Sequence, residues 1–264
     1  MSRVAAVSER YGLRLNATKT VIMSSAEAPI AINLGNSTLD QVPSFKYLGS
    51  EIAPDGSAKN EISRRINLAS SAFGRLSRVL WNKRPISIRT KVRIYLAMVR
   101  TILLYCGETW AVTKADCQRL DTFEARCLRK IWFRALDNPP TWDPDNPNWT
   151  SNAEIRSCLD VSTTPSSVLR ERRLRWFGHV CRRPSFYPAF LATLATPLDN
   201  WKRRPGGQKK TWLDFVKDDV TPILQGPISA TKWKMEWLAT AASVAQDRIQ
   251  WRGIVRDASA GLIN

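Results

Sequence analysis

The spacing of hydrophobic residues changes near residue 56. Before that point, residues 30–34 and the region from 42 to 52 contain short apolar–polar alternations with a period of two, which is typical of half-buried strands. Turn residues follow both regions, Gly35-Asn36 after the first and Pro54-Asp55-Gly56 after the second. The pattern therefore predicts a small β element made of short hairpins and confined to residues before about 56.

From Ser57 onward the spacing becomes helical. Residues 62–80 carry one apolar stripe at steps of three and four, which predicts a helix of about six turns. A second helix over residues 88–105 is apolar nearly all round in its second half and is expected to be the most buried. Thr113 to Asp116 resembles a capping box and predicts the start of a third helix. Three helices with short connections predict a bundle.

A segment rich in Pro, Asn and Asp, residues 137–152, interrupts this pattern and predicts a loop or hinge between domains. A short helix over residues 153–159, a basic helix over 166–181 and two helices over 211–220 and 230–255 are predicted beyond it. The predicted fold class is α+β and predominantly α. Its predicted parts are a β-containing region (1–56), a helical bundle (57–136), a linker (137–152) and a basic, Trp-rich helical region (153–264).

Charge limits the choice of partner. The 264 residues carry 40 Lys and Arg against 23 Asp and Glu, a formal net charge of +17. So much positive charge repels itself unless an anion is bound, so RNA or DNA is the expected partner and a membrane surface the weaker alternative. Arg100 interrupts the longest apolar run near the middle, and the N-terminus lacks a secretory signal. We therefore expect an intracellular protein, nuclear or cytoplasmic, with no membrane-spanning segment.

The five cysteines lack the close pairs of a recognisable zinc cluster. Cys158, His179 and Cys181 could in principle hold zinc, but the plainer interpretation is a set of reduced, mostly buried thiols. No bound metal or other cofactor is therefore predicted.

Positive charge is concentrated between Thr164 and Lys210. This segment contains eleven basic and two acidic residues, with aromatic residues among them. Arginine and lysine attract phosphates, and aromatic rings can stack on unpaired bases. The alternative is a helix packed through its aromatic residues under a solvated arginine shell. The predicted nucleic-acid contacts in this region are Arg170, Arg172, Arg173, Arg175, Trp176, His179, Arg182, Arg183, Lys202, Arg203, Arg204, Lys209 and Lys210.

Five signatures occur in order along the chain. They are GLRLNATKT from Gly12, FKYLGS from Phe45, LLYCGETW from Leu103, RRLRWFGHVCRR from Arg172, and KKTWLDFVKDDV with DRIQWRGIV from Lys209 and Asp247. In this order they resemble the part of a LINE-type (non-LTR) retrotransposon reverse transcriptase that lies downstream of its catalytic carboxylates. The resemblance runs from about residue 11 to residue 257. It implies the end of a polymerase palm, a helical thumb and a basic C-terminal region.

The resemblance also implies roles for individual residues. Lys19 corresponds to the lysine of motif D, which approaches the leaving pyrophosphate in such polymerases. Residues 45–50 correspond to the primer-grip hairpin, with Lys46, Tyr47 and Gly49 as candidate contacts. Thumb helices track a template–primer duplex through its phosphates, for which Arg64 and Arg65 are candidates, followed by Lys83, Arg84, Arg89, Lys91 and Arg93. The plainer interpretation is that these are solvated lysines and arginines and an ordinary amphipathic strand.

Catalysis is not expected from this chain alone. Phosphoryl transfer needs carboxylates that hold two Mg²⁺ ions, which the family places upstream of motif D, and only eleven residues precede Gly12. Asp218-Asp219 lies in a helical pattern, which does not suit a metal site. Mg²⁺ is thus expected only for the complete polymerase. The predicted function is a fragment that binds RNA, DNA or their hybrid without catalysis; the alternatives are a piece of an active reverse transcriptase and a non-catalytic helical interaction module.

The strands before residue 56 are few, and the strands that would pair with them in the family lie upstream. Unpaired strand edges promote association. We therefore predict self-association through residues 13–52.

Overall fold

The computed structural model describes residues 2–24, 29–134, 136, 150–194, 210–224 and 235–260. The chain is mostly helical, and all its described strands lie between residues 21 and 52. This confirms the predicted α+β, predominantly α class, with its β element before residue 56. The chain divides into an N-terminal unit, Met1–Glu61, and a C-terminal unit, Ile62–Asn264.

The described residues of the N-terminal unit form three two-stranded sheets. The first pairs Val21–Ile22 with Asp40–Gln41 in parallel, and the other two, Asn33–Leu34 with Ser37–Thr38 and Phe45–Tyr47 with Ser50–Ile52, are antiparallel hairpins. Its elements are α1 Ser2–Arg10, a 3₁₀ turn Ala17–Lys19, β1 Val21–Ile22, β2 Asn33–Leu34, β3 Ser37–Thr38, β4 Asp40–Gln41, β5 Phe45–Tyr47 and β6 Ser50–Ile52.

The hairpin β5–β6 turns through two residues in the left-handed region, Leu48 with φ 46° and Gly49 with φ 83°. Tyr47 faces Ser50 directly across this turn. Two consecutive positive φ values match the turn that best fits the twist of paired strands, and they make glycine valuable at position 49. Backbone and hydroxyl groups of the second strand bond to the buried Glu61: Glu51 N donates to Oε2 at 3.0 Å, and Ser50 Oγ to Oε1 at 3.3 Å.

Large apolar side chains are exposed throughout the described part of the N-terminal unit. Leu13 and Tyr11 follow α1, and Phe45, Tyr47 and Leu48 lie on or beside the β5 hairpin. Such surface is what self-association would use, and self-association stays a prediction.

The C-terminal unit is built from helices. Its first described helix, α2 Lys59–Arg75, begins in the N-terminal unit, and a π-helical turn, Ser77–Trp81, follows it. The remaining helical elements are α3 Ile88–Ile94, a π-helical turn Tyr95–Val99, α4 Arg100–Leu103, a 3₁₀ turn Gly107–Thr109, α5 Lys114–Phe133, α6 Asn152–Cys158, α7 Pro165–Cys181, α8 Pro188–Leu194, α9 Trp212–Val220, α10 Met235–Val244 and α11 Arg248–Ser259.

Aromatic packing fixes the first helices of this unit. The rings of Phe73 and Trp81 stack with centroids 4.9 Å apart, and Tyr95 meets Phe73 edge-on at 6.3 Å. Trp81 Nε1 donates to Phe73 O at 2.7 Å, which satisfies the buried indole. The predicted helix over 88–105 is observed as α3 and α4 with the π-helical turn between them, and five of its apolar residues are buried: Val92, Tyr95, Val99, Leu103 and Leu104.

A buried carboxylate ties α6 and the loop after it to the first helices. Glu124 of α5 is fully buried and accepts bonds from Arg100 at 2.7 and 2.9 Å, from Arg156 at 2.6 Å and from the Tyr95 hydroxyl at 3.3 Å. Both arginines also donate to the carbonyl of Thr163, at 2.8 and 3.0 Å. Burial and then Glu124 raise the pKa of Tyr95 well above its ordinary value. The ion pairs therefore hold the chain directly before α7 against α4 and α5.

Helix α7 packs in a hydrophobic core with α9, α10 and α11. Leu174, Phe177 and Cys181 are buried against residues of α9, α10 and α11. The predicted helix over 166–181 is therefore correct within one residue at its start.

The predicted continuous helix over residues 230–255 is wrong. Asp247 stands at an N-cap and its carboxylate accepts bonds from Ile249 N at 2.7 Å and Gln250 N at 3.2 Å, so α11 begins anew at Arg248. A capping aspartate satisfies the first amides of a helix and so favours a start at this point. Most of the predicted linker, residues 137–149, lies outside the described residues. None of the described helices is long and apolar enough to cross a membrane.

Candidate nucleic-acid interface

Helices α7 and α11 pack side by side in opposite directions. Arg170 Nη1 donates to Ala258 O at 2.9 Å, Trp251 Nε1 to Leu174 O at 2.9 Å, and Arg182 Nη1 to Ala245 O at 2.7 Å, just before α11 begins. As the residue number rises along α7, the partner's number falls along the other segment. The Thr164 capping box, with Pro165 in the first turn, fixes where α7 starts.

One glycine sets how closely the two helices approach. A Cβ added at Gly178 would lie 2.5 Å from Cδ1 and 2.9 Å from Cε2 of Trp251. The indole cannot move away cheaply, because it is buried and bonded to the backbone of α7. The glycine of the WFGH signature is therefore needed for packing.

A groove of about 1020 Å³ lies between α7 and α11 and is strongly basic. Trp251, which is buried, forms part of its lining. Among the described residues that line it, Glu171 is the one carboxylate, and it pairs with Arg175 at 2.5 Å. The charged and titratable lining of this arginine groove consists of Glu171, Arg175, His179, Arg182 and Arg183 from α7 and its C-cap, and Arg248, Arg252 and Arg256 from α11.

Sequence reasoning missed the arginines of α11. Arg248, Arg252 and Arg256 recur every four residues, which places them on one helix face about 6 Å apart along the axis. That spacing was visible in the sequence, but it predicts a groove only if α11 lies against α7. No carboxylate pairs with Arg248 or Arg252 within the part of the chain that the structure describes.

The crowding of positive charge shows in the titration of groove residues. Burial, followed by Arg183, Arg182 and Arg248, lowers the pKa of His179. Burial and then Arg248 also lower the pKa of Arg182. His179 Nε2 lies 2.8 and 3.2 Å from the guanidinium of Arg183, which suits a neutral imidazole that accepts from the arginine. An anion in the groove would relieve this repulsion.

Three arginines of α7 that the sequence predicts as phosphate contacts instead hold the fold. Arg173 is only 6% exposed, its guanidinium bonds to Asp219 of α9 at 2.6 and 2.9 Å, and it lies over the Phe215 ring. Arg170 reaches Asp219 at 3.2 Å as well as Ala258 O, and Arg172 donates to Leu104 O at 2.7 Å. The structure thus separates the predicted set into this inner group and the groove group Arg175, His179, Arg182 and Arg183.

Other predicted contacts lie away from the groove lining. Lys210 pairs with Asp218 at 2.6 Å. The guanidinium of Arg65 is buried over the Tyr105 ring at 4.3 Å, while Arg64 is half-buried. Lys91 is buried as well. The remaining predicted residues Lys202, Arg203, Arg204 and Lys209 lie outside the described residues.

The predicted polymerase contacts of the N-terminal unit occupy well-defined turns. Lys19 ends the 3₁₀ turn, and Asn16 caps that turn by accepting from Thr18 N at 3.0 Å and Lys19 N at 3.2 Å. Residues 13–16 form no strand, and Asn16 starts the turn. Lys46, Tyr47 and Gly49 lie in the β5–β6 hairpin, as predicted, and the tyrosine ring is exposed.

Metal ligands are not gathered anywhere in the described residues: no group of three His, Cys, Asp or Glu side chains could hold an ion there. Cys158 is exposed and Cys181 is buried in the core. Burial raises the pKa of Cys181 to about 12, which keeps it a thiol. Asp218 and Asp219 bind Lys210 and Arg173 respectively.

The chain matches no family model and no solved structure. It is 26% identical over 250 residues to an uncharacterized transposon-derived protein of Caenorhabditis elegans, covering 93% of this chain and 83% of that protein. This similarity supports a transposon origin for the chain.

Proposed function

We propose that the chain is part of a transposon-derived, LINE-type reverse transcriptase and that it binds nucleic acid through the arginine groove. Two observations support the proposal from different directions. The five signatures occur in the order of the palm end, thumb and basic region of such enzymes. The relative that spans nearly the whole chain is itself named as transposon-derived.

The arginine groove carries the binding part of the proposal. Six arginines converge from two antiparallel helices on one concave surface that holds a single carboxylate among the described residues. Like charges held this close destabilise a fold unless an anion binds between them. Arginine contacts phosphate oxygens through a planar set of donors and reads no base in doing so. The groove therefore suits a nucleic-acid backbone and predicts binding with little sequence preference.

Catalysis is not part of the proposal for this chain alone. In the complete enzyme, Asp carboxylates of the palm would hold Mg²⁺, and Lys19 would lie near the leaving pyrophosphate. The primer-grip-like hairpin with Lys46 and Tyr47 would then hold the primer end. We expect no template-dependent incorporation of nucleotides by this chain in a primer-extension assay with Mg²⁺ or Mn²⁺.

Salt-dependent binding tests the groove. For six phosphate contacts, log K should fall with log salt with a slope of about −4 to −5. Replacing Arg248, Arg252 and Arg256 by Ala should flatten the slope by about 2 to 3 and weaken all sequences alike. The measurement is fluorescence anisotropy with a labelled RNA and its RNA–DNA hybrid over a range of salt.

A matched control removes the same charge from another surface. Lys114, Arg126 and Lys130 are exposed on α5, and their triple Ala variant should keep the salt slope of the unmodified chain.

A third variant, Arg84→Ala, Arg89→Ala and Arg93→Ala, removes exposed charge from the thumb-like region. Equal losses in all three variants would mean that only net charge matters. A loss confined to the third would move the interface to the thumb-like helices. Binding that does not respond to salt would favour a helical interaction module.

A further inference from the structure

Flat side chains form a row that begins on the exposed side of α7 and continues past the C-terminal end of this helix. The ring of Trp176 stacks on His179 with centroids 5.6 Å apart and an interplanar angle of 26°. His179 contacts the guanidinium of Arg183 at 2.8 Å, and Arg183 lies over the Tyr187 ring at 5.2 Å. Phe186 follows, with its ring centroid 6.3 Å from that of Tyr187. We call these five side chains the ring row.

The ring row is exposed, whereas the aromatic residues beside it are not. Trp176 is 40% exposed and Phe186 is 76% exposed, and Tyr187 is exposed as well. On the inner face of the same helix, Phe177 is fully buried and packs against Trp251. Core packing therefore accounts for Phe177 and leaves the exposed rings unexplained. Adjacent exposed rings rimmed by arginine are typical of a binding surface.

The ring row and the arginine groove share residues. His179 and Arg183 belong to the row and also line the groove. A ligand that reaches both surfaces must offer a phosphate backbone on one side and flat, unpaired rings on the other. Bases of a single strand can turn outward and stack on aromatic rings or on guanidinium planes, whereas the bases of a duplex are already stacked and paired.

We propose that the groove holds the backbone of a single-stranded nucleic acid while its bases stack on the ring row. This inference rests on the proposed function, because it takes the groove as the phosphate site. Trp176 offers the largest ring, and Tyr187 and Phe186 extend the platform beyond the end of α7. The preference is for unpaired strands and not for a base sequence, since every base has a flat face.

The test compares one strand with its own duplex. An unstructured RNA of about 20 nucleotides exceeds the length that one such platform covers. Its affinity is measured alone and annealed to complementary DNA. Trp176→Ala should weaken single-strand binding by about 5- to 150-fold, the loss expected for one stacked base, and leave duplex binding unchanged. Phe186→Ala with Tyr187→Ala should act in the same direction. Trp176→Phe, which keeps a flat ring, should restore most of the affinity.

Controls separate the possible failures. Ile249 is exposed beside Arg248 on α11 but is not flat, so Ile249→Ala should leave both affinities unchanged. A thermal melt of Trp176→Ala should match that of the unmodified chain. If the melting temperature of Trp176→Ala falls, the single-strand and duplex affinities of Trp176→Phe and of the Phe186 and Tyr187 variant test the stacking proposal instead.

The single-strand proposal is overturned if the ring-row variants lose single-strand and duplex binding equally, or lose neither. In that case the arginine groove is still the proposed phosphate site. A groove triple variant that binds both ligands with an unchanged salt slope overturns the proposed function itself.

Discussion

Arginines on different sides of α7 make different contacts. Toward the packed side, Arg170 bonds to Ala258 O and Arg173 to Asp219, and Arg172, which lies one turn before Trp176, donates to Leu104 O. On the groove face, Arg175, Arg182 and Arg183 line an open space beside arginines of α11, and of these three Arg182 also donates to the Ala245 carbonyl. A dense run of arginines in the sequence therefore does not give the number of phosphate contacts. Which arginines can contact a ligand depends on the residues that pack against each side of the helix.

Replacing Arg173 on the inner face of α7 should have the largest effect on stability. Replacing Arg173 by Met would leave the buried carboxylate of Asp219 with Arg170, at 3.2 Å, as its remaining arginine contact among the described residues. Removing one member of a buried ion pair costs about 3–5 kcal/mol of unfolding free energy. Chemical unfolding followed by tryptophan fluorescence measures this loss. A loss below about 1 kcal/mol would show that Arg173 is not a structural residue.

The pH dependence of that loss has a definite sign. Burial raises the pKa of Asp219 and Arg173 opposes the rise, so removing Arg173 should raise this pKa further. The protonated carboxyl needs no cation, whereas the ionised carboxylate does. The destabilisation should therefore be full at about pH 7 and shrink as the pH falls through the raised pKa of Asp219. A loss that is independent of pH would exclude the ion pair as its cause.

The spacing between the two helices gives the next effect. Gly178→Ala places a methyl group against the Trp251 indole, and such overpacking costs about 1–3 kcal/mol. Gly253 lies on α11 with no atom within 4 Å of an added Cβ, so Gly253→Ala is the matched control. It should be neutral or slightly stabilising, because alanine favours a helix. Equal unfolding free energies for the two variants would contradict the close contact.

The groove face should show the opposite behaviour to Arg173. Arg175 is exposed and forms a surface pair with Glu171, so Arg175→Met should change stability by no more than about 0.5 kcal/mol. It should instead reduce the salt slope of RNA binding by about 0.7 to 0.9, the effect of one phosphate contact. If Arg175→Met unfolds the protein and Arg173→Met weakens binding in a folded protein, the assignment of the two faces is wrong.

The smallest predicted effect concerns His179. Burial and then the neighbouring arginines lower the pKa of His179 in the free protein, and a bound polyanion should raise this pKa again. Because the bound state then takes up a proton, affinity should rise as the pH falls below about 6.5. One pKa unit of difference corresponds to a rise of at most about tenfold. His179 is the sole histidine in the sequence, so a flat pH profile in His179→Gln would assign the effect to it.

Most of the secondary structure follows from local patterns in the sequence. The change of period near residue 56 separated strands from helices, and the capping box at Thr113 marked the start of α5, because caps and periodicity act over a few residues. Asp247 is a signal of the same kind, and it separates α11 from α10.

Only the tertiary structure decided which arginines face a ligand. Arg170, Arg172 and Arg173 are equivalent to Arg175 in the sequence pattern. Their difference arises from contacts with Asp219, Leu104 and Ala258, which lie 46 to 88 residues away along the chain. The groove needs Arg248, Arg252 and Arg256 to face α7 from the opposite direction. Local spacing places side chains on a helix face, but the packing of distant helices determines what that face meets.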